Sequence, residues 1–123
     1  MARILLIEDN VEVAKVFAEA LEEAGHTVDL AAAAYGAVQR ACRHMPDLVL
    51  MDLMLQGANG AVAALALKGL GSLAPVICVT GGQMAIDDDV MVRAGFAKIM
   101  KKPIFASDLL AEVDHWLTLP DAV

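Results

Sequence analysis

Five short segments rich in apolar and β-branched residues recur along the chain, and a segment with helical periodicity follows each of them. In the third, Asp47 to Asp52, the four residues between the aspartates are all apolar, as expected for a strand covered on both faces. This alternation predicts an α/β fold with a parallel sheet and helices on both faces. The predicted strands are Arg3 to Ile7, Thr27 to Ala31 (weaker, nearer an edge), Asp47 to Asp52, Pro75 to Val79 and Lys98 to Lys101.

The helical segments are bounded by residues that start or stop helices. Asn10 is suited to cap the first, Val11 to Ala24, and Gly25 to end it. Ser107 is suited to cap the last. The other helices are predicted over Tyr35 to His44, near Ala61 to Leu70, and within Met84 to Ala94. The predicted apolar faces are Val13, Phe17, Ala20, Leu21 and Ala24 in the first helix, and Leu109, Leu110, Val113, Trp116 and Leu117 in the last.

Length and charge narrow the classes of function. The 123 residues suffice for one domain, predicted over 1 to 119, with 120 to 123 as a tail or the start of a linker. No apolar run is long enough to span a bilayer and the start lacks signal-peptide features, so we expect a cytoplasmic protein without membrane contact. The net charge of -7 argues against direct nucleic-acid binding by this domain.

Polar residues stand at the carboxyl ends of four predicted strands, where functional groups gather in open parallel sheets. The set comprises Glu8, Asp9, Asp52, Thr80 and Lys102. Crowded carboxylates repel one another and need a cation, and hard oxygen ligands suit Mg²⁺. A carboxylate can act as a nucleophile, while a cation and an ammonium stabilise an incoming phosphoryl group. These residues therefore predict a phosphoryl-transfer site.

Four motifs in this order resemble the receiver domain of bacterial response regulators in two-component signalling. They are Ile7-Glu8-Asp9-Asn10, Leu50-Met51-Asp52-Leu53, Val79-Thr80-Gly81 and Lys102-Pro103. The resemblance implies a flavodoxin-like three-layer sandwich with strand order 2-1-3-4-5 and five helices. It also implies phosphorylation by a sensor histidine kinase or a histidine phosphotransfer protein. An effector domain, a protein target and homodimerisation stay open as outputs.

The resemblance assigns a role to each matching residue. Asp52 would be the phosphoacceptor, Thr80 would contact the phosphoryl oxygen, and Lys102 would pair with the phosphoryl group. Asp9 and Asp52 would bind Mg²⁺ directly, Glu8 would act through water, and the carbonyl of Met54 would complete the ligands. The Lys102–Pro103 peptide bond would be cis. The chemistry would be limited to self-phosphorylation and self-dephosphorylation.

Some positions depart from the family pattern. Ile99 stands where the family has an aromatic switch residue, so we expect the loop after Thr80 and the short helix that follows to carry the output. Gln56 replaces a usual proline, which predicts a more mobile loop. Met54 and Gly82 cannot orient an attacking water through a side chain, so we expect slow self-dephosphorylation.

Other interpretations compete with these predictions. An aspartyl phosphohydrolase would carry a second Asp two residues after the first, where this chain has Met54. An interaction module that is not phosphorylated is a second alternative, although all five pocket residues are present. Lys101 is an alternative to Lys102 but is expected to be solvated. Cys42 and Cys78 are interpreted as small buried hydrophobes.

Overall fold

The structure is a computed structural model that describes residues 2–32, 36, 39–40, 43–52, 74–80 and 96–118. Its strands are β1 (Arg3–Ile7), β2 (Thr27–Ala31), β3 (Leu48–Asp52), β4 (Val76–Thr80) and β5 (Lys98–Lys101). Its helices are α1 (Val11–Glu23) and α2 (Ala106–Thr118). No helix within these ranges is long and apolar enough to cross a membrane.

The five strands form one parallel sheet in the order β2-β1-β3-β4-β5. This order confirms the flavodoxin-like fold class, and β2 lies at an edge as predicted. Two of the five predicted helices are α1 and α2. The other three lie wholly or partly outside the described residues, as do Gln56 and Gly82.

Burial follows position in the sheet. All five residues of β3 are buried, whereas β5 is half-buried or exposed throughout. One face of the sheet packs against α1 and α2 through Phe17, Leu21, Leu109 and Val113. Because alternate residues of a strand face opposite sides of the sheet, the burial of every β3 residue agrees with its continuous apolar sequence.

Helix α1 lies between Asn10 and Gly25, the two bounding residues that the sequence predicts. The Oδ1 of Asn10 accepts the backbone N–H groups of Glu12 and Val13 at 3.1 Å. The last helical residue is Glu23, one before the predicted Ala24, which is the C-cap, and Gly25 follows with a φ of 98°, which a residue without Cβ adopts at little cost. The buried face differs in part from the prediction, because Ala14 and Ala18 are buried while Ala24 is exposed.

Boundary predictions are corrected at the last helix and at two strands. Ser107 does not cap α2, because the backbone N–H groups of Asp108 and Leu109 both donate to the carbonyl of Phe105 and the helix begins at Ala106. Strand β4 begins one residue later than predicted, at Val76, since Pro75 has no N–H for the ladder, and it ends one residue later, at Thr80. Strand β3 begins at Leu48 rather than at Asp47. Trp116 and Leu117 pack against the core, as predicted.

Candidate functional site

The ends of β1 and β3 bring three carboxylates together. Ile7 pairs in register with Met51, so the two residues that follow β1 lie beside Asp52. One oxygen from each of Glu8, Asp9 and Asp52 lies within 4.8 Å of the others. We call these three residues the carboxylate cluster. Glu8 and Asp52 are 5% and 6% exposed, so two of the charges have little access to solvent.

Lys102 joins the cluster from the segment that follows β5. Its Nζ lies 3.0 Å from Oε2 of Glu8 and 3.4 Å from Oδ2 of Asp52. The neighbouring Lys101 is exposed, so the structure places Lys102 at the cluster, as the sequence predicts. The Lys102–Pro103 peptide bond is cis, also as predicted.

Glu8 is held through both of its carboxylate oxygens. Oε1 accepts the backbone N–H of Asn10 at 3.2 Å, and Oε2 accepts from the ammonium of Lys102. Asn10 itself caps α1, so Glu8 links the start of that helix to the segment after β5. The sequence did not predict this Glu8–Lys102 pair.

Burial and charge act in opposite directions on these groups. Burial raises the pKa of Glu8 and outweighs the hydrogen bond from Lys102, which lowers it. Partial burial alone lowers the pKa of Lys102. The hydrogen bond and charge of Glu8, with the charge of Asp52, outweigh that effect, so the pKa of Lys102 is raised. The ammonium is therefore firmly protonated at neutral pH.

Cys78 lies one strand away from the cluster. It pairs in register with Met51 and is fully buried. Burial, and secondarily the charge of Asp52, raises the pKa of the thiol to about 12. A protonated, inaccessible thiol packs as a small hydrophobe, which confirms the prediction for Cys78. Cys42 lies outside the described residues.

The remaining predicted site residues are only partly described. Thr80 ends β4 opposite Lys101 of β5, so its backbone reaches the same edge of the sheet as the cluster. The role predicted for its hydroxyl stays a prediction. Met54 lies outside the described residues, so the carbonyl ligand predicted there also stays a prediction.

The donor set fits a hard divalent ion. Carboxylate oxygens are the ligands that Mg²⁺ prefers, and one or two of them suffice because the ion keeps several waters. Asp9 and Asp52 would hold such an ion, with Glu8 close by. When bound, Mg²⁺ would offset the negative charge of an incoming phosphoryl group.

Comparisons with known proteins agree with this geometry. The family model described as "Response regulator receiver domain" matches residues 4–114. The chain is 28% identical over 116 residues to the polar-differentiation response regulator DivK of Brucella ovis, covering 93% of this chain and 94% of DivK. It is also 28% identical over 106 residues to the transcription factor SKN7 of Saccharomyces cerevisiae, covering 86% of this chain but only 17% of SKN7.

A solved structure shares the fold. The receiver domain protein (CheY-like) of Methanospirillum hungatei JF-1 superposes with a TM-score of 0.88 at 25% identity, covering 95% of this chain and 94% of that protein. The family match spans most of the chain and includes Glu8, Asp9, Asp52 and Lys102. The chain therefore belongs to the response regulator receiver domains of two-component signalling.

Proposed function

We propose that Asp52 accepts a phosphoryl group from a sensor histidine kinase or a histidine phosphotransfer protein. The observation that carries the proposal is the buried Asp52 carboxylate with the Lys102 ammonium 3.4 Å from its Oδ2. An ammonium in this position attracts the negatively charged phosphoryl group and stabilises charge as it is transferred. The reaction would take place in the cytoplasm and depend on Mg²⁺.

The transfer is a displacement at phosphorus. A carboxylate oxygen of Asp52 forms the new P–O bond while the P–N bond of the phosphohistidine donor breaks, and the imidazole leaves with the electron pair and then takes up a proton. Lys102 holds the phosphoryl oxygens, and Thr80 would add a hydrogen bond. Phosphorylation would then change the binding partner or self-association of the domain. Because Ile99 has no aromatic ring, the rotation of an aromatic side chain at that position cannot signal the change.

The phosphodonor would approach along α1. A groove of about 630 Å³ lies beside Lys102 and is lined mainly by apolar side chains, among them Val16, which is 56% exposed. A protein that brings a phosphohistidine to Asp52 must touch this rim. The substitution Val16→Asp should therefore slow transfer from a phosphorylated donor protein while leaving phosphorylation by a small donor unchanged. Met45→Asp is the matched control, because Met45 is 48% exposed and precedes β3, at the opposite end of the sheet.

Phosphorylation by a small donor tests the central claim. We expect acetyl phosphate with Mg²⁺ to add one phosphoryl group to the wild-type chain, as measured by intact-protein mass spectrometry, and to add none to Asp52→Asn. Asp47→Asn is the control, because Asp47 precedes the same strand at its opposite end. Equal labelling of Asp52→Asn and wild type would refute the assignment of the phosphoacceptor.

A further inference from the structure

A second groove, of about 570 Å³, lies between α1 and the end of β2, and we call it the α1–β2 groove. Leu30 of β2 pairs in register with Leu6, which belongs to the same core cluster as Phe17 of α1, so its side chain is on the sheet face that α1 covers. Leu30 is nevertheless 45% exposed, and Val11, at the start of α1, is 79% exposed. Two aliphatic side chains that line this groove are therefore open to solvent in the single chain.

Charged side chains of both signs border the α1–β2 groove. Lys15, Glu19 and Glu22 are spaced four and three residues apart, so they share one side of α1. Arg40 lines the groove from the segment that follows β2. All four residues are exposed, and none of them takes part in an ion pair within the part of the chain that the structure describes.

This balance of charge distinguishes the border of the groove from the chain as a whole. Two cations and two carboxylates make the exposed border neutral, whereas the chain carries a net charge of -7. Two further carboxylates, Glu8 and Asp9, line the groove where it meets the carboxylate cluster, and Glu8 is paired with Lys102. Strongly acidic surfaces repel their own copies, so two copies of this chain approach most easily through a neutral surface with exposed aliphatic side chains.

We propose that two copies of this chain associate through the α1–β2 groove, with their α1 helices antiparallel about a twofold axis between Ala18 and Glu19. An axis at this point sets Lys15 of each copy opposite Glu22 of the other, so the interface gains two pairs of opposite charge. The aliphatic stems of each pair cover the Leu30 side chain beside them. A surface that carries both signs of charge is self-complementary, which favours a second copy over an unrelated partner.

The inference goes beyond the proposed function, because association through this groove requires neither a phosphodonor nor Asp52. The groove beside Lys102, along which the donor would approach, shares no lining residue with the α1–β2 groove. Failure of one proposal is therefore distinguishable from failure of the other, since self-association and phosphorylation are measured separately.

Charge reversal tests the pairing of Lys15 with Glu22. The association constant of the full chain is measured by sedimentation equilibrium, without a phosphodonor. We expect Lys15→Glu and Glu22→Lys each to weaken association by about tenfold, because each sets like charges opposite one another. The double variant restores opposite charges and should return association to within about threefold of wild type.

Glu23→Lys is the matched control for a change in net charge. Glu23 is exposed and adjacent to Glu22 but does not line the groove, so its reversal should weaken association by less than about twofold. A wild-type chain that stays monomeric up to about 1 mM would overturn the proposal. A dimer that neither single reversal weakens, or that the double variant fails to restore, would overturn it too.

The aliphatic part of the surface has its own comparison. Leu30→Asp should weaken association by about tenfold, because it places a charge where the partner excludes water. Met45→Asp is the control, since Met45 is 48% exposed, close to the 45% of Leu30, but precedes β3 at the opposite end of the sheet. Urea denaturation checks that both variants fold. Equal weakening by the two folded variants would contradict the proposed surface.

A measurement on the wild-type chain does not depend on the folding of any variant. A carbodiimide joins an amine to a carboxylate that it contacts, and a mixture of ¹⁴N- and ¹⁵N-labelled chains distinguishes links between copies from links within one. We expect mass spectrometry of the cross-linked dimer to show Lys15 of one copy joined to Glu22 of the other. A cross-linked dimer that lacks this link would contradict the antiparallel arrangement.

Discussion

The two ends of the sheet each carry an ion pair of the same length in very different surroundings. At the amino end, Arg3 contacts Asp29 at 3.0 Å, with side chains 34% and 26% exposed. At the carboxyl end, Lys102 contacts Glu8 at 3.0 Å, with side chains 23% and 2% exposed. The distance is equal, but solvent screens only the first pair well.

The ends also differ in charge balance. At the amino end, Asp29 accepts from the guanidinium of Arg3, and Asp47 accepts from the backbone N–H of Arg3 at 2.8 Å. At the carboxyl end, within the described residues, the Lys102 ammonium contacts two of the three carboxylates of the cluster. Excess negative charge in a buried place lowers the free energy of unfolding. The amino end of the sheet is therefore suited to folding, whereas the carboxyl end is suited to binding a cation and an anion.

The largest effect on stability is expected from Lys102→Met without divalent ions. Removing the ammonium leaves two buried carboxylates without their cation, and the free energy of unfolding should fall by about 2 kcal/mol. Urea denaturation measures it. Lys101→Met, next in sequence but exposed, should stay within about 0.5 kcal/mol of wild type. A loss no greater than that of Lys101→Met would mean that burial does not distinguish the two ends.

The substitution Asp52→Asn should have the opposite sign. It removes one of three crowded negative charges while Lys102 keeps Glu8, so the free energy of unfolding should rise by about 1 kcal/mol. Asp29→Asn, which removes a carboxylate from the balanced end, should instead lower it by less than about 1 kcal/mol. If denaturation shows that both variants are more stable than wild type, or that both are less stable, the two ends do not differ in charge balance.

A smaller effect is expected at the amino end. Arg3→Met breaks a pair of the same 3.0 Å length, yet the free energy of unfolding should fall by only about 0.5 kcal/mol, because both partners are partly solvated. Added salt should abolish most of this difference. Should Arg3→Met cost as much as Lys102→Met, pair length rather than burial would determine the energy.

The alkaline pH dependence sharpens the contrast further. The pKa of Lys102 is raised above its ordinary value of 10.5. The contribution of the ammonium to stability is therefore fully present below pH 10.5, and it is lost as the pH rises through the pKa of Lys102 in the folded protein. The stability gap between wild type and Lys102→Met should therefore stay constant up to 10.5 and narrow above it. Denaturation at increasing pH measures this gap.

Much of the fold could be predicted from local signals. The strands β1, β2 and β5 have the predicted boundaries. Asn10 and Gly25 mark the two ends of α1, because the capping side chain and the positive φ are requirements on single residues. Ser107 failed as a cap because the Phe105 carbonyl accepts the first helical bonds instead. Ala14 and Ala18 were missed, since alanine marks a buried face only weakly.

The sequence by itself determined which residues stand at strand ends, because side-chain type and apolar periodicity are local properties. Only the tertiary structure decided that Glu8 holds Lys102, a residue 94 positions away. The contact requires β1, β3, β4 and β5 to align in one parallel register, and no single segment specifies that register. Burial is also a property of the packed sheet. Because of burial, we expect the two ion pairs of 3.0 Å, one at each end of the sheet, to differ in their contribution to stability.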